Sequence, residues 1–360
     1  MKLFPEDSII KSNSNVKFGI DPTFNRLHLG HFVALRLCKK LLLEGHNLDI
    51  IIGNFTARLG DPSGRDSTRP ILSVEDVENN SNSILSQLES ILGFEYSNLS
   101  YIKNSVIHSD TSLNDFLTYI SKFSLSYVLS RNGFQDRLDS NSPIALHELM
   151  VPILQGLDSV YLETDVEIGG SDQLFNFQIA RKLQEDSGQK PQSCIMVDII
   201  NGTDGRKMSK SLNNCIWLDD TPEDIFGKVM SISDITMLEW VPILTDITDI
   251  NIHPMELKKL LAHNIISQIL SNETANLAQK HFETTVQNKE LPDDIPFVSA
   301  KSIIEALSLY HGLSKTSIRQ LFKSGAITLN SDTIFNDCDV KSGDIIGKGK
   351  RAFIKVCNDG

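Results

Sequence analysis

The spacing of hydrophobic residues in the first half of the chain alternates between strand-like and helix-like patterns. Short apolar runs at 16–20 and 48–53 predict buried strands, and 29–44 carries apolar residues at helical spacing and ends before Gly45. Strand, helix and strand at this spacing predict a βαβ unit with a right-handed crossover. Further helices are predicted over 74–92, 112–129, 143–161 and 175–184, with a strand over 166–170. The alternation predicts an α/β fold with a doubly wound parallel sheet.

The second part of the chain has a different pattern. Residues 222 to about 287 look helical throughout, and the stretch ELPDDIP at 290–296 has the composition of a linker. Beyond it, helices are predicted over 302–309 and 315–324, and short strands over 326–330 and 351–356. We therefore predict a sheet domain over 1–218, a helical domain over 219–290 and a small α+β domain over 297–360.

Composition narrows the possible classes of protein. No apolar run approaches the roughly 20 residues that a membrane helix needs, and residues 1–15 lack a secretion-signal pattern, so we expect a cytoplasmic protein. The five cysteines are scattered, which indicates neither a zinc site nor a disulfide framework. A formal net charge of -12 argues against indiscriminate nucleic-acid binding, but residues 297–360 hold nine Lys+Arg against six Asp+Glu. Any RNA contact is therefore expected first in this tail.

The first candidate motif is His28-Leu29-Gly30-His31, where a strand is followed by a helix. The free N–H groups and the dipole at a helix N-terminus favour a phosphate chain. Gly30 would let a nucleotide approach closely, and both imidazoles could donate hydrogen bonds to its oxygens. Taken alone, two histidines in a first helical turn are more often structural or a chance occurrence than part of a nucleotide site.

The second candidate motif is Lys207-Met208-Ser209-Lys210-Ser211, in a loop that also contains Gly202, Asp204 and Gly205. Two lysines beside small hydroxyl residues could neutralise a polyphosphate and release it when the loop opens. An ordinary solvated basic turn is the alternative. The order of the motifs, with a GGSDQ strand end between them, favours a nucleotide site.

HLGH and KMSKS resemble the two signatures of class I aminoacyl-tRNA synthetases. GIDPTFNRLHLGH, IIGNFTARLGDPSGRDSTRP, LHELMVPILQGLDSV, DVEIGGSDQLFN and FGKVMSISD further resemble the bacterial tyrosyl-tRNA synthetases that retain KMSKS, and the likeness spans about 16–355. The resemblance implies a Rossmann-like catalytic domain that activates L-tyrosine with ATP and transfers it to tRNA(Tyr). It also implies Mg²⁺ carried by ATP without a protein metal site, a helical domain on the anticodon side, and a cytoplasmic homodimer.

The resemblance also implies roles for individual residues. Because the substrate carboxylate attacks the α-phosphorus directly, catalysis should rest on positioning and charge, and no general base is expected. The catalytic residues implied are Thr23, His28, His31, Lys207 and Lys210. The ATP-binding residues implied are Gly19, Asp21, Gly30, Gly170, Asp172, Met208 and Ser209. The amino acid would be bound by Lys17, Asp61, Gln155, Asp158 and Gln173, with Asp158 at the place that reads the phenol hydroxyl.

Three positions depart from the family pattern, because Lys17, Val151 and Leu157 stand where tyrosines are common. A modified tyrosine, another amino acid such as tryptophan, or a non-catalytic RNA-binding role therefore stay open as alternatives.

The tail contains GLSKTSIRQLFKSGAITLN and GDIIGKGKRAFIKV, which resemble an RNA-binding domain shared with a small-subunit ribosomal protein. Its helix would present Lys315, Arg319 and Lys323 to RNA phosphates. A solvated basic face is the alternative.

Overall fold

The computed structural model describes residues 2–59, 72–287, 295–349 and 352–357. They form two units. The first holds the described residues up to Asp220 together with Ile232–Ile252, and the second holds Thr221–Ser231 and the described residues from His253 onward. Asp61 and most of the predicted linker at 290–296 lie outside the described residues, and the finer division into three domains stays a prediction.

A six-stranded sheet organises the first unit, in the order β1-β6-β5-β2-β3-β4. Its strands are β1 Lys2–Phe4, β2 Asn15–Ile20, β3 Asn47–Ile52, β4 Leu99–Lys103, β5 Val166–Gly170 and β6 Ser193–Val197. All neighbouring strands are parallel except β1, which pairs antiparallel with β6. The predicted parallel α/β sheet is therefore confirmed. The chain winds one way from β2 and the other way from β5, and ligands of such sheets bind at the carboxyl ends of the strands beside this switch point.

Fifteen α-helices occur in the described part of the chain. They are α1 Leu29–Leu43, α2 Thr56–Leu59, α3 Val74–Leu92, α4 Asn104–Ser109, α5 Leu113–Ile120, α6 Leu125–Leu129, α7 Asn132–Asp139, α8 Leu146–Tyr161, α9 Leu174–Asp186, α10 Pro222–Ser231, α11 Asp234–Leu244, α12 Pro254–Ile269, α13 Asn272–Phe282, α14 Ile303–His311 and α15 Lys315–Lys323. None of these helices has the length and apolar composition of a membrane span.

Two helix predictions are wrong in detail. The helix predicted over 112–129 is interrupted, because Ser124 takes an extended backbone and its hydroxyl accepts a hydrogen bond from Tyr127 N–H, which starts α6 as a separate helix. The region from 222 to 287 is not helical throughout either. Residues 245–253 form an irregular segment in which Asp249 accepts a hydrogen bond from Asn251 N–H, a local turn that competes with helix formation.

The second unit contains α10, α12 and α13, followed by a small α+β module. In this module five strands pair in the order β7-β11-β10-β8-β9, and α14 and α15 accompany them. The strands are β7 Phe297–Val298, β8 Ile327–Leu329, β9 Asp332–Thr333, β10 Ile345–Lys348 and β11 Ala352–Val356. Ile318 and Phe322 of α15 are buried in the module's apolar core, so this helix turns its polar face to solvent.

Candidate active site

The predicted nucleotide-binding residues gather at the carboxyl ends of β2 and β5, beside the switch point. Asp21 and Thr23 follow β2 directly, and Asp172 lies just beyond Gly170 at the end of β5. A Cβ atom placed on Gly19 of β2 would meet no atom of the described residues within 4 Å, so these residues leave space beside the strand end. The sheet therefore offers a crevice where a ligand can approach the backbone.

The HLGH motif forms the N-terminal cap of α1. The Nδ1 atom of His28 accepts a hydrogen bond from Gly30 N–H at 3.1 Å, and Nδ1 of His31 accepts one from His28 N–H at 3.1 Å. A Cβ atom on Gly30 would lie 2.8 Å from the His28 ring, so the glycine is required for this cap as well as for access. Segment 216–218 fixes the turn, since Leu29 N–H donates to Ile216 O at 3.0 Å.

Burial sets the protonation state of both imidazoles. Burial lowers the pKa of His28 to about 4, and burial together with the neighbouring His28 lowers the pKa of His31 well below 6.5. Both rings are therefore neutral near pH 7. Because each Nδ1 already accepts a hydrogen bond, the single proton must sit on Nε2, and each Nε2–H remains a donor for an oxygen of a bound nucleotide.

This assignment predicts a pH dependence of stability. The unfolded state takes up a proton at His28 near pH 6.5 and the folded state only near pH 4, so stability is lost as pH falls between these values. For His28 the loss between pH 7 and pH 5 is about 2 kcal/mol. In His28→Asn the carboxamide oxygen can still cap α1 without titrating. Urea denaturation at the two pH values should show a smaller pH-dependent loss in this variant than in the wild type, and an equal loss would contradict the assignment.

The KMSKS loop lies over the HLGH turn. The Met208 sulfur is 3.9 Å from the Cβ position of Gly30, and Lys207 Nζ is 3.7 Å from Asp172 Oδ2 at the end of β5. The Lys210 ammonium lies 4.2 Å from the ring centroid of Phe24, which is on the β2–α1 connection. The structure thus brings both motifs to one cleft, and both lysines of the loop are exposed.

Sequence reasoning missed Asn214, which holds this loop in shape. Its buried carboxamide donates to Asp204 Oδ1 at 2.7 Å and to Lys207 O at 3.2 Å, and it accepts from Ser209 N–H at 2.8 Å. Hydrogen bonds from Asn214 and Arg206 lower the pKa of Asp204 to about 2, which keeps this carboxylate charged. The available signal was an asparagine three residues after the motif, since asparagine favours turns that hydrogen-bond to the backbone.

Lys17 is buried in the sheet and is fully engaged by the protein. Its ammonium lies 2.9 Å from Glu167 Oε1 and donates to Gln155 O at 3.0 Å and to Ser159 Oγ at 2.5 Å. Lys17 and Glu167 are direct neighbours in the register of β2 and β5. An ammonium has three donors, and here all three have partners. The predicted role of Lys17 in amino-acid binding stays a prediction.

The other residues predicted to bind the amino acid lie along α8 and the start of α9. Asn176 Nδ2 donates to both Gln155 Oε1 and Gln173 Oε1 at 2.8 Å, so one buried amide brings the two glutamine oxygens together. Gln155 Nε2 donates to Glu167 Oε1 at 3.0 Å, which fixes the orientation of that side chain. Asp158 is buried on α8.

Two of the departures from the family pattern are core positions. Val151 is 2% exposed, and Leu157 belongs to an apolar cluster with Ile153, Ile179 and Leu183. Leu157 therefore contributes to the packing of α8 against α9.

Comparison with known proteins identifies the family. The family model described as tRNA synthetases class I (W and Y) matches residues 11–295. The chain belongs to this family. A tyrosine–tRNA ligase of Dehalococcoides mccartyi is 40% identical to this synthetase, over 95% of the chain and 91% of the relative. A tyrosine–tRNA ligase of Thermotoga maritima is 37% identical, over 96% of the chain and 91% of the relative.

Solved structures agree with the fold of this synthetase. A C-terminally truncated mitochondrial tyrosyl-tRNA synthetase of Aspergillus nidulans superposes with a TM-score of 0.64 at 18% identity, covering 76% of this chain and 86% of that one. The tyrosyl-tRNA synthetase of Archaeoglobus fulgidus, solved with L-tyrosine, superposes with a TM-score of 0.57 at 18% identity. The match covers 74% of this chain and 90% of that one.

Proposed function

We propose that this synthetase is a tyrosine–tRNA ligase. The carboxylate of L-tyrosine attacks the α-phosphorus of ATP, the bond to the β-phosphate oxygen breaks, and tyrosyl-adenylate and pyrophosphate form. A ribose hydroxyl at the 3′ end of tRNA(Tyr) then attacks the tyrosyl carbonyl, and AMP leaves. The observation that supports this most is the position of Lys207, Met208 and Lys210 over the HLGH turn, at the switch point of the sheet.

The cleft supplies charge and hydrogen bonds where the reaction develops negative charge. His28 and His31 offer Nε2–H donors beside the N-terminus of α1, while Lys207 and Lys210 neutralise the departing pyrophosphate. Thr23 lies on the same β2–α1 connection as Phe24, which Lys210 contacts. Mg²⁺ would enter on the ATP phosphates and neutralise part of their charge.

The amino acid would lie along α8 between the glutamine pair and Asp158. The oxygens of Gln155 and Gln173 suit the ammonium of the substrate, and the Asp158 carboxylate suits a phenol hydroxyl. A buried acceptor of this kind disfavours phenylalanine, which cannot pair with it.

Partners are proposed from exposed surfaces. Lys315, Arg319 and Lys323 are exposed on α15 opposite its buried face, which suits contact with tRNA phosphates. A homodimer is supported by apolar side chains exposed on α5, α6, α7 and α8, namely Leu113, Leu117, Leu125, Leu138 and Leu146. A cytoplasmic location is part of the same proposal.

ATP–pyrophosphate exchange with each of the twenty amino acids tests the proposal. We expect exchange with tyrosine and not with tryptophan, and charging of tRNA(Tyr). Exchange with tryptophan alone would contradict the proposal and indicate a tryptophan-specific enzyme of the same family. No exchange with any amino acid would favour a non-catalytic RNA-binding role.

A further inference from the structure

Two buried polar atoms face each other beside α8 without forming a hydrogen bond. His108 Nε2 of α4 lies 3.0 Å from Asp158 Oδ1, and their side chains are only 1% and 5% exposed. Neither atom has a hydrogen-bond partner among the described residues. A buried polar atom without a partner is costly, so a pair of them indicates a place for a polar group of a ligand.

The surroundings restrict which atom of Asp158 is available. Asn104 Nδ2 approaches Asp158 Oδ2 at 3.4 Å and Thr56 Oγ1 at 3.1 Å, and the Asn104 oxygen accepts from Phe55 N–H at 3.0 Å. The backbone thus fixes the orientation of this amide, which directs its donor to Oδ2. Oδ1 is the oxygen left for a ligand.

Lys17 cannot complete this site in the observed arrangement. Its ammonium is held by Glu167, Gln155 O and Ser159 Oγ. The polar atom that faces Asp158 Oδ1 is instead Nε2 of His108, at 3.0 Å.

We propose that His108 is a specificity-determining residue of the amino-acid site. The phenol hydroxyl of tyrosine donates to Asp158 Oδ1 and accepts from His108 Nε2–H. A single oxygen can bond to both atoms, because 3.0 Å is close to the length of each hydrogen bond and the three atoms form a near-equilateral triangle. Phenylalanine would leave both buried atoms unpaired. This inference rests on the proposed tyrosine–tRNA ligase activity and extends it to a residue outside the family motifs.

Substitutions at 108 can be accommodated by the fold. The imidazole borders a cavity of ≈ 400 Å³ that is also lined by Phe55, Thr111 and Leu154, so side chains of altered shape have room. In His108→Gln the amide nitrogen can reach the place of Nε2. In His108→Asn it reaches only the place of Nδ1, so the two variants differ mainly in the position of one donor.

The test measures kcat/KM for tyrosine and for phenylalanine in pyrophosphate exchange. We expect His108→Asn and His108→Leu to lower the tyrosine-to-phenylalanine ratio by about 10- to 100-fold, through loss of tyrosine activity, and His108→Gln to restore most of it. A purely structural role would lower both activities together and leave the ratio unchanged, which would overturn the proposal. If His108→Leu fails to fold, the tyrosine-to-phenylalanine ratios of His108→Gln and His108→Asn are compared instead.

The wild-type protein separates this inference from the proposed function. Wild-type exchange with tyrosine together with an unmoved ratio in the variants would remove the role of His108 alone. Wild-type protein that fails to exchange tyrosine would remove the proposed ligase activity, and the inference with it.

Discussion

Replacing Lys210 with alanine is expected to slow tyrosyl-adenylate formation about 100-fold, the size of effect seen when one charge-stabilising donor is removed. The dissociation constant for tyrosine should change little, because the Lys210 ammonium lies over Phe24 on the HLGH side of the cleft, whereas the tyrosine site is proposed along α8. Single-turnover formation of the adenylate measures the rate, and equilibrium dialysis with labelled tyrosine measures binding.

Arg206→Ala provides a matched control in the same loop. The Arg206 guanidinium is tied to Asp204 at 2.5 Å, so its loss removes a positive charge without removing a predicted phosphate ligand. We expect this variant to stay within a few-fold of the wild-type rate. Equal losses of tyrosine binding and adenylate formation in Lys210→Ala would show that this lysine does not act on the pyrophosphate side.

Removing the Glu167 carboxylate is expected to be the most damaging change in the sheet. Glu167→Leu would leave the Lys17 ammonium buried without its counter-charge, which typically costs 3–5 kcal/mol, on the order of a third or more of a domain's stability. Lys17→Met should be similarly destabilising, because the carboxylate would then be buried without its cation. Urea denaturation followed by circular dichroism measures both effects.

The double variant Lys17→Met with Glu167→Leu separates the ion pair from ordinary packing. When both charges are removed, the apolar side chains can pack between β2 and β5, and most of the stability should return. The interaction energy of the cycle is then several kcal/mol. Additive losses in the double variant would mean that the two charges do not compensate each other as their 2.9 Å separation indicates.

Much of the fold could be predicted from the sequence, because the apolar runs of β2, β3 and β5 and the long helices α1 and α3 have clear periodicity. Helix boundaries in the middle of the chain could not be predicted in this way. The start of α6 depends on the cap at Ser124, and a serine can also lie inside a helix that continues past it.

The two signature motifs were visible in the sequence, but the long-range contacts of Lys17 and of Asp158 were not. Lys17 and Glu167 are lone charges within apolar strands, a pattern that predicts pairing, yet they are 150 positions apart and only the register of β2 and β5 shows that they meet. His108 lies in a six-residue helix without a motif, so nothing local points to Asp158. Long-range contacts of this kind depend on the topology of the fold and cannot be inferred from the spacing of residues along the sequence.

The central claim is that the triphosphate of ATP lies between the HLGH turn and the lysines of the KMSKS loop. An ATP analogue with an acyl group on its terminal phosphate transfers that group to lysine amines beside the phosphates, and peptide mass spectrometry locates the label. We expect labelling at Lys207 and Lys210 that excess ATP suppresses. Labelling confined to other lysines, or unchanged by ATP, would contradict the account.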